Sequence, residues 1–381
     1  MKKTLVSVCV GALLATSSLA GNLRNDIDNL ISKVNPHVNL GMVVVDLNSG
    51  NTLYSRNAER LFIPASNMKL FSEAAALMAL GPDYRFKNQL STDASQLQQG
   101  VLQGNLYVHL NGDPSFSRED LKTLFSGLRE WNVTAIKGNV FIVSSLADVS
   151  AYPPGWLTSD MSYSYGAPIA PLMLDANRLT VTVSPAARAG EPAIVEADDN
   201  GAGIIVSNQT TTKTSTNGCG VGFSLDQDNR LIARGCVGVG QWAVQQRMAI
   251  KNPLAYAQGM IRSELVKSRI KLDGTVQLGK APAGSMLIAT QHSRPLSQLM
   301  ADTLKPSDNL YADSLYLHAA FKLNGGPVNW DKAQPVVKTF LQQQTGIDLQ
   351  SAVFTDGSGL SRYNLVTPEQ TISLLTFLYQ K

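Results

Sequence analysis

The sequence predicts an α+β protein: a helix-rich unit interrupted by a long β-rich region. Three observations carry that expectation. Apolar residues recur at helical spacing between residues 23 and 80, and again from 295 to 380. From about 86 to 285, short apolar runs alternate with Gly, Asn, Asp and Thr clusters, the texture of short strands. A hairpin sits between the first two helices, so the helical unit has strands of its own. The simplest account makes 21–85 and 286–381 two parts of one domain, with 86–285 inserted as two subdomains. No period points to tandem repeats.

Residues 1–20 read as a secretory signal. Lys2-Lys3 form a basic start, Leu5 to Ala15 an apolar core, and Ser18-Leu19-Ala20 a small-x-small cleavage site. The expected product is exported, periplasmic or cell-envelope, with at most peripheral membrane association, because no later stretch has the roughly 20 apolar residues of a spanning helix. Charged residues are 16% and the formal net charge is +3. That leaves no basic field for nucleic acid. Of three cysteines, Cys9 lies in the signal. Cys219 and Cys236 remain as an even pair, either two buried thiols or a bridge; an oxidising compartment favours the bridge.

The elements follow in order. Leu23, Ile27, Leu30, Ile31 and Val34 mark a first helix. Asn39 to Leu47 and Thr52 to Ser55 form strands around an Asn48-Ser49-Gly50-Asn51 turn. Pro64 and Ser66 then start a helix carrying Leu70, Ala74, Leu77 and Leu80, stopped by Gly81-Pro82. Gln89 to Leu110 reads as short strands, Gly112-Asp113-Pro114 as a sharp turn, Arg118 to Glu130 as an amphipathic helix and Val140 to Val143 as a strand. Ala151 to Pro171 is a loop rich in proline and aromatic residues. Strands at Leu179–Val183, Ala193–Glu196, Gly203–Val206 and Leu231–Gly235 precede helices at Asn252–Lys271, Pro295–Thr303, Asp308–Asn324, Asn329–Thr345 and Thr367–Gln380.

Ser66 and Lys69 lie one helical turn apart, so the amine can reach the hydroxyl. A neighbouring lysine can take a serine's proton where no histidine serves. The helix start also favours a developing alkoxide. The same S-x-x-K spacing recurs at Ser268-Arg269-Ile270-Lys271, within a charged segment that reads as surface. A second motif, Ser307-Asp308-Asn309, follows Lys305-Pro306 and heads a helix. Two other Ser-x-Asn triplets, Ser49-Gly50-Asn51 and Ser215-Thr216-Asn217, lie in polar turns. S-x-x-K paired with S-D-N is the signature of penicillin-binding proteins and serine β-lactamases. His37, His109, His292 and His318 have no metal spacing, and no metal or organic cofactor is implied.

With these motifs the chain resembles the exported D-alanyl-D-alanine carboxypeptidase/endopeptidase family of low-molecular-mass penicillin-binding proteins, class C type, with its large insertion between the first and second motifs. The resemblance also rests on Asn111-Gly112-Asp113-Pro114, Pro154-Gly155-Trp156 with Asp160-Met161, and the run Asp356-Gly357-Ser358-Gly359-Leu360-Ser361-Arg362. It implies a penicillin-binding, serine β-lactamase-like catalytic domain, an antiparallel sheet with helices, interrupted by the inserted region. It implies Ser66 as acylated nucleophile, Lys69 as its base, and Ser307 and Asn309 in proton transfer and substrate orientation. Asp160 and Arg362 match positions that bind the charged end of a peptidoglycan stem peptide, and Tyr165 would line the same pocket. Arg362 could instead cap a helix or bridge a surface carboxylate, and Asp160 could be a turn residue. The implied partners are peptidoglycan stem peptides, with β-lactams as covalent inhibitors.

The chain departs from the family in one respect. Its third motif, Lys-Thr-Gly, occurs nowhere in the 381 residues. Lys3-Thr4, Lys122-Thr123, Lys213-Thr214 and Lys338-Thr339 are each followed by another residue. The expectation is a chain that stops before that motif, carrying the attacking half of the site. The alternatives are a binding-only relative and, against the long separation of Lys69 from Ser307, a serine β-lactamase.

Overall fold

In the computed structural model, residues 23–381 are described apart from 96, 145, 147, 148 and 171. The signal read at 1–20 lies outside the described residues. Helix α1 covers 23–34. The hairpin follows as antiparallel strands Met42–Val45 and Thr52–Arg56. Its turn is tied by Asp46, which accepts from the Asn48 N–H and the Ser49 hydroxyl at 2.9 Å each. A 3-10 turn, Ala65–Asn67, runs into α2, Met68–Leu80, and Gly81 ends it at φ 86°. That angle is open to glycine and strained for other residues.

Helix α2 is apolar on most sides because it is the central rod of the helical unit. Met68, Phe71, Ala74 and Ala75 face one hydrophobic cluster, shared with Tyr316 and Leu317. Ala76 faces a second cluster, with Leu296, Leu299 and Leu315. The surrounding helices are α5 (Leu296–Leu304), α6 (Asn309–Asn324), α7 (Trp330–Thr345) and α8 (Pro368–Tyr379). Asp308, Asn329 and Thr367 each cap the following helix with a side-chain oxygen. Met42–Val45 pairs on one side only among the described residues. A groove of about 430 Å³ runs beside it, lined by Met42, Val43, Phe62, Ile63, Asn67 and Val366.

The β-rich region has its own core. A five-stranded mixed sheet runs in the order Val276–Leu278, Val140–Val143, Leu106–His109, Lys87–Thr92, Met286–His292. Helix α3, Arg118–Glu130, starts with a Ser117/Asp120 capping box, and α4 covers Pro253–Lys267. Leu121, Phe125 and Ile261 on these helices join Leu90, Val108 and Ile142 of the sheet in one cluster. The last strand of that sheet, Met286–His292, lies beyond residue 285 and pairs with Lys87–Thr92. A smaller four-stranded sheet lies in the same region. Two three-stranded sheets complete it. One is antiparallel, ordered Ile194–Ala197, Arg178–Ser184, Val244–Ala249. The other is mixed, ordered Ile205–Lys213, Arg230–Gly238, Val221–Leu225. A disulfide joins Cys236 of this last sheet to Cys219 in the loop before Val221–Leu225. Among the described residues, no helix is long and apolar enough to cross a membrane.

Candidate active site

Ser66 is exposed in the 3-10 turn that leads α2, so the first turn is tighter than the α-helix expected from Pro64 onward. Ala65 before it holds a left-handed φ of 47°. Lys69, one turn on, is 2% exposed. Its Nζ lies 3.2 Å from Ser66 Oγ, 2.6 Å from Asn309 Oδ1 and 2.9 Å from the Ser358 carbonyl. These three contacts use all its capacity. As an ammonium it donates to all three. As an amine it keeps two N–H bonds, to Asn309 and Ser358, and turns its lone pair to the Ser66 hydroxyl. Burial holds its pKa below the ordinary lysine value, although Asp313, Asp356, Asp308 and Glu73 pull the other way.

Ser307 reaches Ser66 from the opposite side, its Oγ donating to Ser66 Oγ at 2.8 Å. Asn309 is fixed at both ends of its amide. Oδ1 accepts from Lys69, and Nδ2 donates to the Tyr165 carbonyl at 2.9 Å. Asp308, between them, is paired with Arg178. Burial raises the Asp308 pKa, but the Arg178 hydrogen bonds and charge outweigh it, and the net shift is downward.

The Asp356–Arg362 turn closes the floor. Asp356 is fully buried and accepts four hydrogen bonds. Oδ1 takes the Gly359 N–H and Asn364 Nδ2, each at 2.7 Å. Oδ2 takes the Ser361 N–H at 2.6 Å and Trp156 Nε1 at 2.8 Å. Gly359, at φ 82°, passes so close to the Ser66 turn that a Cβ there would lie 1.7 Å from the Ala65 carbonyl oxygen. Beneath the site, Asp313 Oδ1 accepts the Gly357 and Ser358 N–H groups at 2.7 and 2.9 Å. Burial raises its pKa well above the carboxylate range. Glu73, one turn beyond Lys69, is also buried, and neither carboxyl oxygen has a hydrogen-bond partner among the described residues. Burial lifts its pKa to about 8, against the pull of Lys69. Thr303 also pulls downward, yet its hydroxyl donates to the Leu299 carbonyl.

Four of the sequence-derived residues, Ser66, Lys69, Ser307 and Asn309, thus form one connected cluster. Tyr165 joins it through its carbonyl, and its hydroxyl donates to Asp160 Oδ1 at 3.0 Å. Tyr163 and Tyr165 stack with centroids 5.6 Å apart. Arg362 is exposed in the turn that holds Lys69; its backbone N–H donates to the Gly155 carbonyl at 3.3 Å. Among the described residues its guanidinium forms no ion pair. The rival Ser268 ends α4, with its hydroxyl 3.2 Å from Glu264 Oε1. Sequence reasoning missed Asp313, Glu73 and Arg178. Asp313 and Glu73 stand four residues after Asn309 and Lys69 on their helices, a spacing that could have flagged both. Arg178 left no local signal.

The fold and this cluster define a penicillin-recognising serine hydrolase. The chain belongs to the D-Ala-D-Ala carboxypeptidase 3 (S13) family, which matches residues 23–381. It is similar to the D-alanyl-D-alanine carboxypeptidase DacB of Haemophilus influenzae, 28% identical over 99% of this chain and 79% of the relative. A D-alanyl-D-alanine carboxypeptidase of Actinomadura sp. is 30% identical over 96% of this chain and 70% of that protein. The crystal structure of penicillin-binding protein 4 from H. influenzae superposes with a TM-score of 0.81 at 28% identity, covering 89% of this chain and 75% of that one. The same protein in complex with a β-lactam gives 0.77 at 29% identity, covering 93% and 77%. The α+β reading and the serine-type carboxypeptidase reading of the sequence agree with these likenesses.

Proposed function

We propose that Ser66 is the acylated nucleophile of a D-Ala-D-Ala carboxypeptidase, acting also on cross-links as an endopeptidase, and that β-lactams acylate the same oxygen. The observation that carries this is the bracketing of Ser66 Oγ by Lys69 Nζ at 3.2 Å and Ser307 Oγ at 2.8 Å. Lys69, as the amine, takes the hydroxyl proton while Oγ attacks the carbonyl carbon of the penultimate D-Ala. The C–N bond breaks, and the proton passes through Ser307 to the leaving D-Ala amine. Water then cleaves the ester and restores Ser66. Asn309 holds Lys69 in register and offers its remaining N–H to the substrate. The helix start favours the negative charge that develops at Ser66.

Asp160, Tyr165 and Arg362 are assigned to the stem-peptide side of the site. The Tyr165–Asp160 hydrogen bond and the exposed Tyr163/Tyr165 stack support a preformed surface there. We also assign 21–85 and 286–381 to the catalytic domain and 86–285 to the insertion, with Met286–His292 closing its sheet; a hydrophobic cluster whose buried members all lie between Leu90 and Val276 supports that division, while Leu146, Ala167, Ile169, Met173 and Ala249 of the insertion pack into the helical cluster. Export to the periplasm or cell envelope accords with a peptidoglycan substrate.

Release of D-Ala from an acyl-D-Ala-D-Ala peptide, compared between the parent and Ser66→Ala, tests the reading. Release by the parent alone supports it. Release by both overturns it. A second reading has the chain acylated, or binding, without turnover. Penicillin labelling without D-Ala release would select that reading, and rapid penicillin hydrolysis would select a β-lactamase.

A further inference from the structure

One side chain of the β-rich region, Arg178, meets the Ser307–Asn309 turn directly. Arg178 opens the strand Arg178–Ser184 and is 9% exposed. Its guanidinium forks onto Asp308, Nη1 to Oδ2 at 2.5 Å and Nη2 to Oδ1 at 2.8 Å. Its Nε donates to the Ser164 carbonyl at 2.8 Å. Asp308 stands between Ser307 and Asn309, and its Oδ1 also accepts the Tyr311 N–H at 3.3 Å to cap α6. Ser307 holds a left-handed φ of 59°. A non-glycine residue keeps that conformation only where its surroundings enforce it. Ser164, on the other side, is bonded through the chain to Tyr165, whose carbonyl receives Asn309 Nδ2.

We propose that Arg178 is a positioning residue that locks the Ser307–Asn309 turn against the Asp160–Gly166 segment. With both held, Ser307 Oγ meets Ser66 and Asn309 Oδ1 meets Lys69. Two further attachments tie the Asp160–Gly166 segment to the same sheet end. Lys251 Nζ donates to the Met161 carbonyl at 2.5 Å, and Tyr163 bridges Met248. Both hold that segment alone, whereas Arg178 holds it and the Ser307–Asn309 turn together. A lysine at 178 is a poor substitute, because a point donor cannot span two carboxylate oxygens and a carbonyl at once. The insertion therefore carries part of the geometry of the site.

The kinetic arm of the test rests on the acylation reading above, and the exchange arm does not. Arg178→Met alone would leave the buried Asp308 carboxylate unpaired and threaten folding. The variant of choice is Arg178→Met with Asp308→Asn, since asparagine still caps a helix. With thermal melting near that of the parent, acylation by a fluorescent penicillin at saturation should slow about 10- to 100-fold, the scale of a misplaced catalytic group. The half-saturating concentration should move by less, and Arg178→Lys should fall between. Amide exchange should rise together in residues 160–166 and 307–310. A folded double variant acylated at the parental rate, or one with both segments protected as in the parent, overturns the proposal. If the parent takes no label, the acylation reading fails, and exchange in these two segments still decides the role of Arg178.

Discussion

Replacing Asp356 by asparagine isolates the turn that holds Lys69. The carboxylate accepts from two donors on each oxygen: Gly359 N and Asn364 Nδ2 on one, Ser361 N and Trp156 Nε1 on the other. An amide nitrogen placed on either side faces two N–H donors and accepts from neither. Two of the four bonds are lost whichever way the amide turns. Hydrogen bonds to a charged group contribute about 1.5–3 kcal/mol each, so the loss is about 3–6 kcal/mol. With a urea slope of about 2 kcal/mol per M, the midpoint of the helical unit should fall by roughly 1.5–3 M. The turn also carries the Ser358 carbonyl that receives Lys69 Nζ. Penicillin acylation measured below the transition should therefore slow about 10- to 100-fold. An Asp356→Asn protein with the parental urea midpoint and the parental labelling rate would show that this turn does not hold Lys69.

Three further outcomes are expected. Gly359→Ala places a methyl 1.7 Å from the Ala65 carbonyl oxygen, at a φ costing about 1–2 kcal/mol for other residues; labelling should be lost and melting lowered. Glu73 has a folded pKa of about 8 against an ordinary 4.5, so the folded state retains a proton that the unfolded chain releases. Stability should fall as pH rises from about 4.5 to 8, by up to about 3 kcal/mol at pH 7, and level off above. Glu73→Gln should remove that slope in urea titrations; an unchanged slope would place its source elsewhere. Cys219→Ser with Cys236→Ser opens a loop of 17 residues' separation and should cost the inserted region about 3 kcal/mol, with Ser66 labelling unchanged.

What could be read in advance divides by range. Helix α3 occupies Arg118–Glu130 as its apolar spacing and its Ser117/Asp120 box require, because a cap and a periodic face are local signals. The core cluster was legible because Ser66/Lys69 and Ser307/Asn309 are each short motifs on a helix start. Strands Val221–Leu225, Val244–Ala249 and Met286–His292 carry no clear strand signal in the sequence. Their exposed faces break the apolar alternation, and only their partners give them order. Trp156 on Asp356 and Arg178 on Asp308 join residues more than a hundred positions apart. A lone arginine opening a strand carries no mark of the carboxylate it will meet. Ser66 also sits in a 3-10 turn where a plain α-helix start was expected; the left-handed Ala65 and the close passage of Gly359 accompany that geometry.

Ser66 as nucleophile and Lys69 as its base are the two roles on which the proposed reaction depends. The direct measurement is peptide mapping by tandem mass spectrometry after penicillin treatment, on the parent and on Lys69→Met. A penicilloyl adduct is expected on the Ser66 peptide of the parent, with formation slower in Lys69→Met by about 10²–10⁴, the range for a lost general base. An adduct on another serine, or equal labelling of Ser66 in both proteins, would contradict those roles.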